Sequence, residues 1–298
     1  MSSLRHETVA GDGVRLHCAV QGEAGRPLLL FLHGFPEFWA AWRGVMAHFS
    51  ARGFLCVAPD LRGFNLSDRP ADVAAYRANH LVADVLALGA HYAPGRTFTP
   101  VAHDWGGAVA WGVAIAQPRR LERLVMINSP HPYVFWRELC SNPAQQKASE
   151  YMNFFRLPKA EGVLAENGHA RLLAAFGHLP AAWREELRES WSRPGGLAGG
   201  LNYYRASPLH PPMPGDPGAS KLKLEAKDFQ VQVPTLVLWG DQDTALLPGC
   251  LEGLGECVPD LRLVRFPDAS HWIVHERTAD VCREIEAFLP SPTPGVPA

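Results

Sequence analysis

The runs LLLFLH (28–33), FLCVAPD (54–60), FTPVAHD (98–104), LVMINS (124–129), TLVLWG (235–240) and LRLVRFP (261–267) constrain this chain most. Each is short and nearly unbroken in its apolar character. A strand with one wet face alternates polar and apolar residues. A strand that is apolar throughout is buried on both faces, as in a parallel sheet. Parallel strands need crossovers, and the intervening segments carry helical periodicity. Over 79–92, Leu81, Val82, Val85, Leu86 and Leu88 fall largely on one face, with Asn79 as a candidate cap. Over 106–116 the residues are small and apolar all round, which predicts a buried helix. Strand alternating with helix predicts right-handed crossovers and an α/β, doubly wound sheet. Ahead of it, Arg5–Ala10 and Val14–Val20 flank Gly11-Asp12-Gly13 and read as a hairpin.

Between 130 and 228 the pattern changes. Strand-like runs vanish, Tyr, Trp, Phe and Arg become frequent, and SRPGGLAGG and SPLHPPMPGDPGAS interrupt the chain. The sheet pattern then resumes. We therefore expect a core in two parts, 1–129 and 229–289, with a helical cap at 130–228 laid over the sheet. A separately folding unit fits less well, because the sheet needs strands from both sides of the insertion. Thr278 opens a last helix through Phe288, and the tail PSPTPGVPA (290–298) has a disordered composition.

The 298 residues suffice for one sizeable core. Lys plus Arg total 28 against 30 Asp plus Glu, so nothing resembles a nucleic-acid footprint. No apolar run is long enough for a bilayer, and no apolar stretch follows the basic residues at the start. The six cysteines lack CxxC spacing and read as reduced thiols, which gives a cytoplasmic expectation. Histidines lack ligand spacing and no Gly-rich phosphate loop follows a strand, so neither metal nor cofactor is expected. Monomer and homodimer both stay open.

The stretch VAHDWGGAV (101–109) joins a strand to the small-residue helix. A nucleophile on a strained strand-to-helix turn needs small neighbours, which Ala102 and Gly106 supply around Asp104. Taken alone, Asp104 could equally be a helix N-cap. WGDQD (239–243) places Asp243 after a strand, and SHW (270–272) places His271 after the last strand. In open α/β sheets the ligand site lies at those carboxyl ends. Nucleophile, acid and histidine also follow in hydrolase-fold order.

Together with HGFPEFWAAWR (33–43), DLRGFNLSDRP (60–70) and LNYYRA (201–206), these segments resemble the α/β-hydrolase superfamily over nearly the whole chain. The resemblance is to its aspartate-nucleophile branch, the epoxide hydrolases and haloalkane dehalogenases. It implies Asp104 as nucleophile, His271 as base and Asp243 as its orienting acid. It implies an oxyanion hole from the backbone N–H groups of Phe35 and Trp105. A carboxylate nucleophile suits displacement at an sp³ carbon, giving an ester that His271-activated water cleaves. The expected partners are a small apolar or aryl-substituted electrophile and water.

An epoxide leaves as an alkoxide and needs a proton. The resemblance puts Tyr204 in that role. The second tyrosine of the family falls on Phe154 in an ungapped match, which leaves Phe154 as an expected substrate contact, with Tyr151 one turn earlier as the tyrosine's replacement. Haloalkane dehalogenases use the Trp after the nucleophile with an Asn after HG; Trp105 is present, but position 35 is Phe. Trp105 in place of Arg argues against a fluoroacetate dehalogenase. A catalytically silent binding protein on the same scaffold is the alternative of a different class. Trp39 is a candidate for the pocket wall or for packing, and His103 is read as structural beneath the turn. The DLRG loop is read as a structural ion-pair site.

Overall fold

The structure is a computed structural model and describes residues 3–290. The hairpin forms from β1 (Arg5–Ala10) and β2 (Arg15–Gln21). The apolar runs become β3 (Leu28–Leu32), β4 (Leu55–Pro59), β5 (Thr99–His103), β6 (Leu124–Ile127), β7 (Thr235–Gly240) and β8 (Leu261–Phe266). They assemble into one eight-stranded sheet, ordered β1-β2-β4-β3-β5-β6-β7-β8. β1, β2 and β4 pair antiparallel; every other neighbour is parallel.

The unbroken apolar runs follow from burial on both faces. Leu28, Leu30, Leu32, Ala102, Leu124, Met126, Val237 and Trp239 point into one core. Their alternates Leu29, Phe31, Val101, Val125, Ile127, Leu236 and Leu238 point into another. Each such side chain contributes about 1.5–3 kcal/mol by leaving water. The second core is closed by α1 (Arg43–Ser50) through Val45, Met46 and Phe49. The first is closed by α2 (Ala78–Tyr92) and α3 (Asp104–Ala116) through Leu81, Val85, Leu88, Val109 and Val113.

Two local expectations differ from the structure. α2 is capped at Arg77, not at Asn79, and Arg77 makes no side-chain capping bond. The preceding short turn instead takes its cap from Asp72, which accepts from Ala74 N. β8 is not buried on both faces, because it is the sheet's edge: Arg262, Leu263 and Arg265 are exposed.

Between β6 and β7 the chain is helical. It runs through α4 (Pro132–Ser141), α5 (Pro143–Ala148), α6 (Glu150–Arg156), α7 (Ala160–Leu173), α8 (Ala181–Ser192) and α9 (Gly196–Ala206). α7 is broken at 166–169, where Asn167, Gly168 and His169 have positive φ. The core resumes with β7, then α10 (Leu254–Cys257), β8, α11 (Ile273–Glu276) and α12 (Thr278–Phe288). The tail expected at 290–298 lies, from 291 on, outside the described residues.

α9 lies directly on the loops that follow β3 and β4. Gly199 is required there: a Cβ would stand 2.1 Å from the carbonyl oxygen of Gly63. From α9 Tyr203 Oη donates to Arg62 O at 3.0 Å, and from α8 Trp191 Nε1 donates to Pro36 O at 2.6 Å. The DLRG loop beneath is tied down by the buried Arg62–Asp84 pair at 2.8 Å.

Candidate active site

β5 ends at His103 in extended conformation and α3 begins at Asp104, whose φ is +50°. This left-handed backbone is costly for a non-glycine residue, of order 1–3 kcal/mol, and persists only where the surroundings impose it. They do so tightly. A Cβ on Gly106 would stand 2.3 Å from Leu32 O, so α3 can start here only with glycine at that position. Ser129 Oγ donates to the Asp104 carbonyl at 2.8 Å. The turn projects the Asp104 carboxylate into the site. Its Oδ1 accepts from Phe35 N at 2.8 Å, in a loop whose Phe35–Pro36 peptide is cis. The Trp105 N–H also bonds to this carboxylate.

His271 comes from the loop after β8. Its Nε2 stands 3.7 Å from Asp104 Oδ2, beyond hydrogen-bond reach. Its Nδ1 meets Asp243 Oδ2 at 2.7 Å. Asp243 is buried and well supplied with donors: Ala245 N at 2.8 Å, Leu246 N at 2.9 Å and Asn128 Nδ2 at 2.8 Å. The structure thus brings Asp104, Asp243 and His271 together from the ends of three strands.

The charges follow from this geometry. Burial alone would lower the His271 pKa. The Asp243 carboxylate and its hydrogen bond, with Asp104 beyond, outweigh burial and raise it to about 9. Asp243 is opposed by burial, yet its pKa is held below the ordinary value by His271, Leu246 N and Asn128. Burial raises the Asp104 carboxyl, against the pull of His271 and the two backbone donors. At neutral pH His271 is therefore held as an imidazolium against Asp243, with the Asp104 carboxyl 3.7 Å from its other nitrogen.

Some supporting residues carry no recognisable signal in the sequence. Asn128, at φ +38°, donates to Asp243 and accepts from Gly240 N at 2.8 Å, which locks β6 to the acid loop. Glu37 is buried behind the site and pairs with His275 at 2.6 Å. The structural reading of His103 agrees with its contacts: its Nε2 meets the His271 carbonyl at 2.9 Å. Burial and the nearby His271 charge lower the His103 pKa to about 3, so it is neutral and donates this bond.

Above Asp104 opens a cavity of about 620 Å³, within the usual range for small-molecule sites. Its wall includes Leu81, Val109, Ile115, Phe135, Met152 and Leu246, with Trp105 at its base. Tyr151 from α6 and Tyr204 from α9 also line it, their ring centroids 6.1 Å apart. Burial and the neighbouring Asp104 charge push both phenols well above the usual tyrosine range. Both are therefore neutral donors at ordinary pH. Tyr204 packs edge-on against Trp105 and Phe35, at 5.0 and 5.4 Å.

Phe154 and Trp39, both expected as substrate contacts, do not line this cavity. On α6 it is Tyr151 and Phe155, four residues apart, that meet Tyr204, which turns Phe154 aside. Trp39 is held elsewhere: its backbone N–H donates to Asp60 Oδ1 at 3.0 Å, and its ring lies against His6 and Arg43. Among the described residues no group of three or more His, Cys, Asp or Glu is placed to hold a metal ion, and no helix is long and apolar enough to cross a membrane.

Comparisons with known proteins agree with this architecture. The α/β-hydrolase fold family matches residues 27–278. The AB hydrolase superfamily protein YfhM of Bacillus subtilis is 35% identical, covering 97% of this chain and 99% of that protein. Epoxide hydrolase 2 of Caenorhabditis elegans is 31% identical over 97% of this chain and 81% of its own length. A solved epoxide hydrolase from hot-environment metagenomes superposes with a TM-score of 0.84 at 38% identity, covering 97% and 99% of the two chains. A Bacillus megaterium epoxide hydrolase mutant gives 0.83 at 31% identity, over 95% and 99%. With its parallel sheet, its strained turn after β5 and these relatives, the chain belongs to the α/β-hydrolase superfamily and is a hydrolase.

Proposed function

We propose that the protein is an epoxide hydrolase that works through a covalent ester on Asp104. The observation that carries this reading is the placement of two neutral phenols, Tyr151 and Tyr204, in the same cavity as a carboxylate on a nucleophile turn. A carboxylate attacks an sp³ carbon without help. The leaving alkoxide is the difficulty, and two hydroxyl donors on the opposite wall address it. A halide would need no proton. The epoxide hydrolases among its relatives support the same choice.

In the first step Asp104 Oδ2 attacks an epoxide carbon, the C–O bond breaks, and a tyrosine proton goes to the leaving oxygen. In the second, His271, neutral once its resting proton has left to solvent, takes a proton from water, and the hydroxide adds to the Asp104 carboxyl carbon. The oxyanion that develops there is the former Oδ1, which already faces Phe35 N at 2.8 Å. Donors at such a position typically contribute about 3 kcal/mol each. Collapse breaks the ester C–O bond; the imidazolium gives its proton to the departing alkoxide, which leaves as the vicinal diol, and the proton left on the Asp104 carboxyl restores the tyrosine hydroxyl through solvent. The resting pKa of His271 suits this order: forming the ester removes the Asp104 charge, which weakens the hold on the His271 proton and makes it a better base.

The helices of 130–228 act as a cap that carries the proton donors and excludes water. The apolar cavity favours an apolar or aryl-substituted epoxide. The test is single turnover of styrene oxide in heavy-oxygen water. The first diol should be unlabelled and Asp104 should acquire the label. Label in the diol alone would remove the covalent route. Release of halide from 1-bromobutane without diol formation from any epoxide would favour the dehalogenase alternative.

A further inference from the structure

Two hydroxyls can address one epoxide oxygen only if the helices that carry them keep a fixed register. Tyr151 is on α6 and Tyr204 is on α9. The rings between them, Phe155 against Tyr204 at 5.0 Å and Tyr151 against Tyr204 at 6.1 Å, pack without directional bonds. We propose that Arg156 is a positioning residue for ring opening, which clamps the C-terminal end of α9 to α6 and so holds Tyr204 in place relative to Tyr151. This rests on the epoxide-opening reading above.

Arg156 is the last residue of α6, and its Nη1 reaches across to the end of α9. There it donates to the carbonyls of Tyr204, of Arg205 at 3.3 Å and of Ser207 at 2.9 Å. The last carbonyls of a helix have no intrahelical partner and carry the negative end of its dipole. The need is sharpest at Tyr204. Its carbonyl would take its bond from residue 208, which is Pro208 and has no N–H. Arg156 supplies the missing donor on the very residue whose side chain faces the substrate. It makes no ion pair with a carboxylate among the described residues, so its hydrogen bonds are spent on geometry. Burial lowers its pKa, against a distant pull from Asp216, which fits a cation held by carbonyls.

Other links should keep the fold without it. Arg205 pairs with Glu161 at 2.9 Å and donates to Leu157 O at 3.4 Å, and Asn153 donates to Pro211 O at 3.2 Å. Arg156→Met keeps the apolar stem and removes the donors. The experiment mixes each variant rapidly with styrene oxide, quenches with acid and counts the alkylated protein by intact mass, so that alkylation and ester hydrolysis are timed separately. Alkylation should slow by about 10–100-fold, the effect of displacing a reacting group by about an ångström. Ester hydrolysis should be unchanged, because His271 and Asp243 sit on other loops. Arg156→Lys should restore part of the alkylation rate. Adding Arg156→Met to Tyr204→Phe should cost nothing further, since both act through one hydroxyl. A trifluoromethyl epoxide, whose alkoxide is a weaker base, should lose less than styrene oxide.

Equal slowing of both steps, full additivity with Tyr204→Phe, or an unaffected alkylation rate would each overturn the clamp. Should the Met variant not fold, the Lys variant decides on the same criterion: a loss confined to alkylation supports the clamp, and a loss spread over both steps overturns it. Wild-type enzyme that opens no epoxide overturns the functional reading and this proposal with it. Wild-type turnover alongside an indifferent Arg156→Met overturns the clamp alone.

Discussion

At the scale of single residues, the proposed mechanism puts its two half-reactions on two sets of side chains, and mutations should separate them. His271→Gln should leave alkylation intact and block hydrolysis, so that intact-mass measurement finds the protein heavier by one substrate. Tyr204→Phe should do the reverse, slowing alkylation by about 10²–10⁴-fold while the ester, once formed, hydrolyses at the wild-type rate. The pH dependence follows from His271. A base must be neutral, so ester hydrolysis should rise with pH. The resting pKa of about 9 includes the attraction of Asp104, which the ester abolishes. The midpoint of the hydrolysis step should therefore lie below about 9, and a midpoint above it would contradict the charge argument. Stability has the opposite slope. The folded pKa of about 9 exceeds the unfolded 6.5, so the stabilisation is complete below 6.5 and is lost as pH rises through about 9.

At the scale of elements, legibility depended on how local the cause was. The β3, β5, β6 and β7 runs are continuous in sequence because each strand is buried on both faces, and that pattern is readable without any partner. The turn at Asp104 was readable for the same reason: its requirement for small neighbours is met within five residues, 102–106. β8 misled, because edge position is a property of the sheet and not of the strand. Tyr151 and Phe154 could not be ranked from sequence, because both lie on α6 and its rotation is set by packing against Tyr204. Glu37 was invisible: its partner His275 is 238 residues away, and only the assembled fold brings them together. The turn itself yields a sharp prediction. Gly106→Ala places a methyl carbon against the backbone oxygen of Leu32, which cannot swing away as a side chain would. Either α3 or β3 must shift, and Asp104 Oδ1 with it, away from Phe35 N. Activity should fall by at least 10²-fold, with a stability loss of about 1–3 kcal/mol from overpacking, read from urea unfolding.

At the scale of the whole molecule, the question is whether the helices of 130–228 form a unit of their own. Their apolar faces argue against it. Leu164, Phe176, Trp191, Leu201 and Tyr203 belong to one continuous buried cluster with Leu30, Val85 and Met126 of the sheet and its flanking helices. The join is also polar and specific. Arg43 of α1 pairs with Glu186 of α8 and lies over the Trp183 ring at 4.6 Å. Phe176 packs on Trp272 at 4.4 Å, next to His271. Helices that share a core with the sheet lose that core when the sheet opens, and the sheet in turn exposes its upper face when they leave. Melting should therefore be a single transition. Trp183 and Trp191 report on the insertion, whereas Trp42, Trp111 and Trp239 report on the sheet. Variants that keep only one of these two sets, followed by fluorescence in urea alongside far-ultraviolet dichroism, should give coincident midpoints. A lower midpoint for the Trp183 and Trp191 variant alone would make the cap an independent unit. In that case the same urea range should abolish alkylation, whose tyrosines the cap carries, before the Asp243–His271 pair of the core is lost.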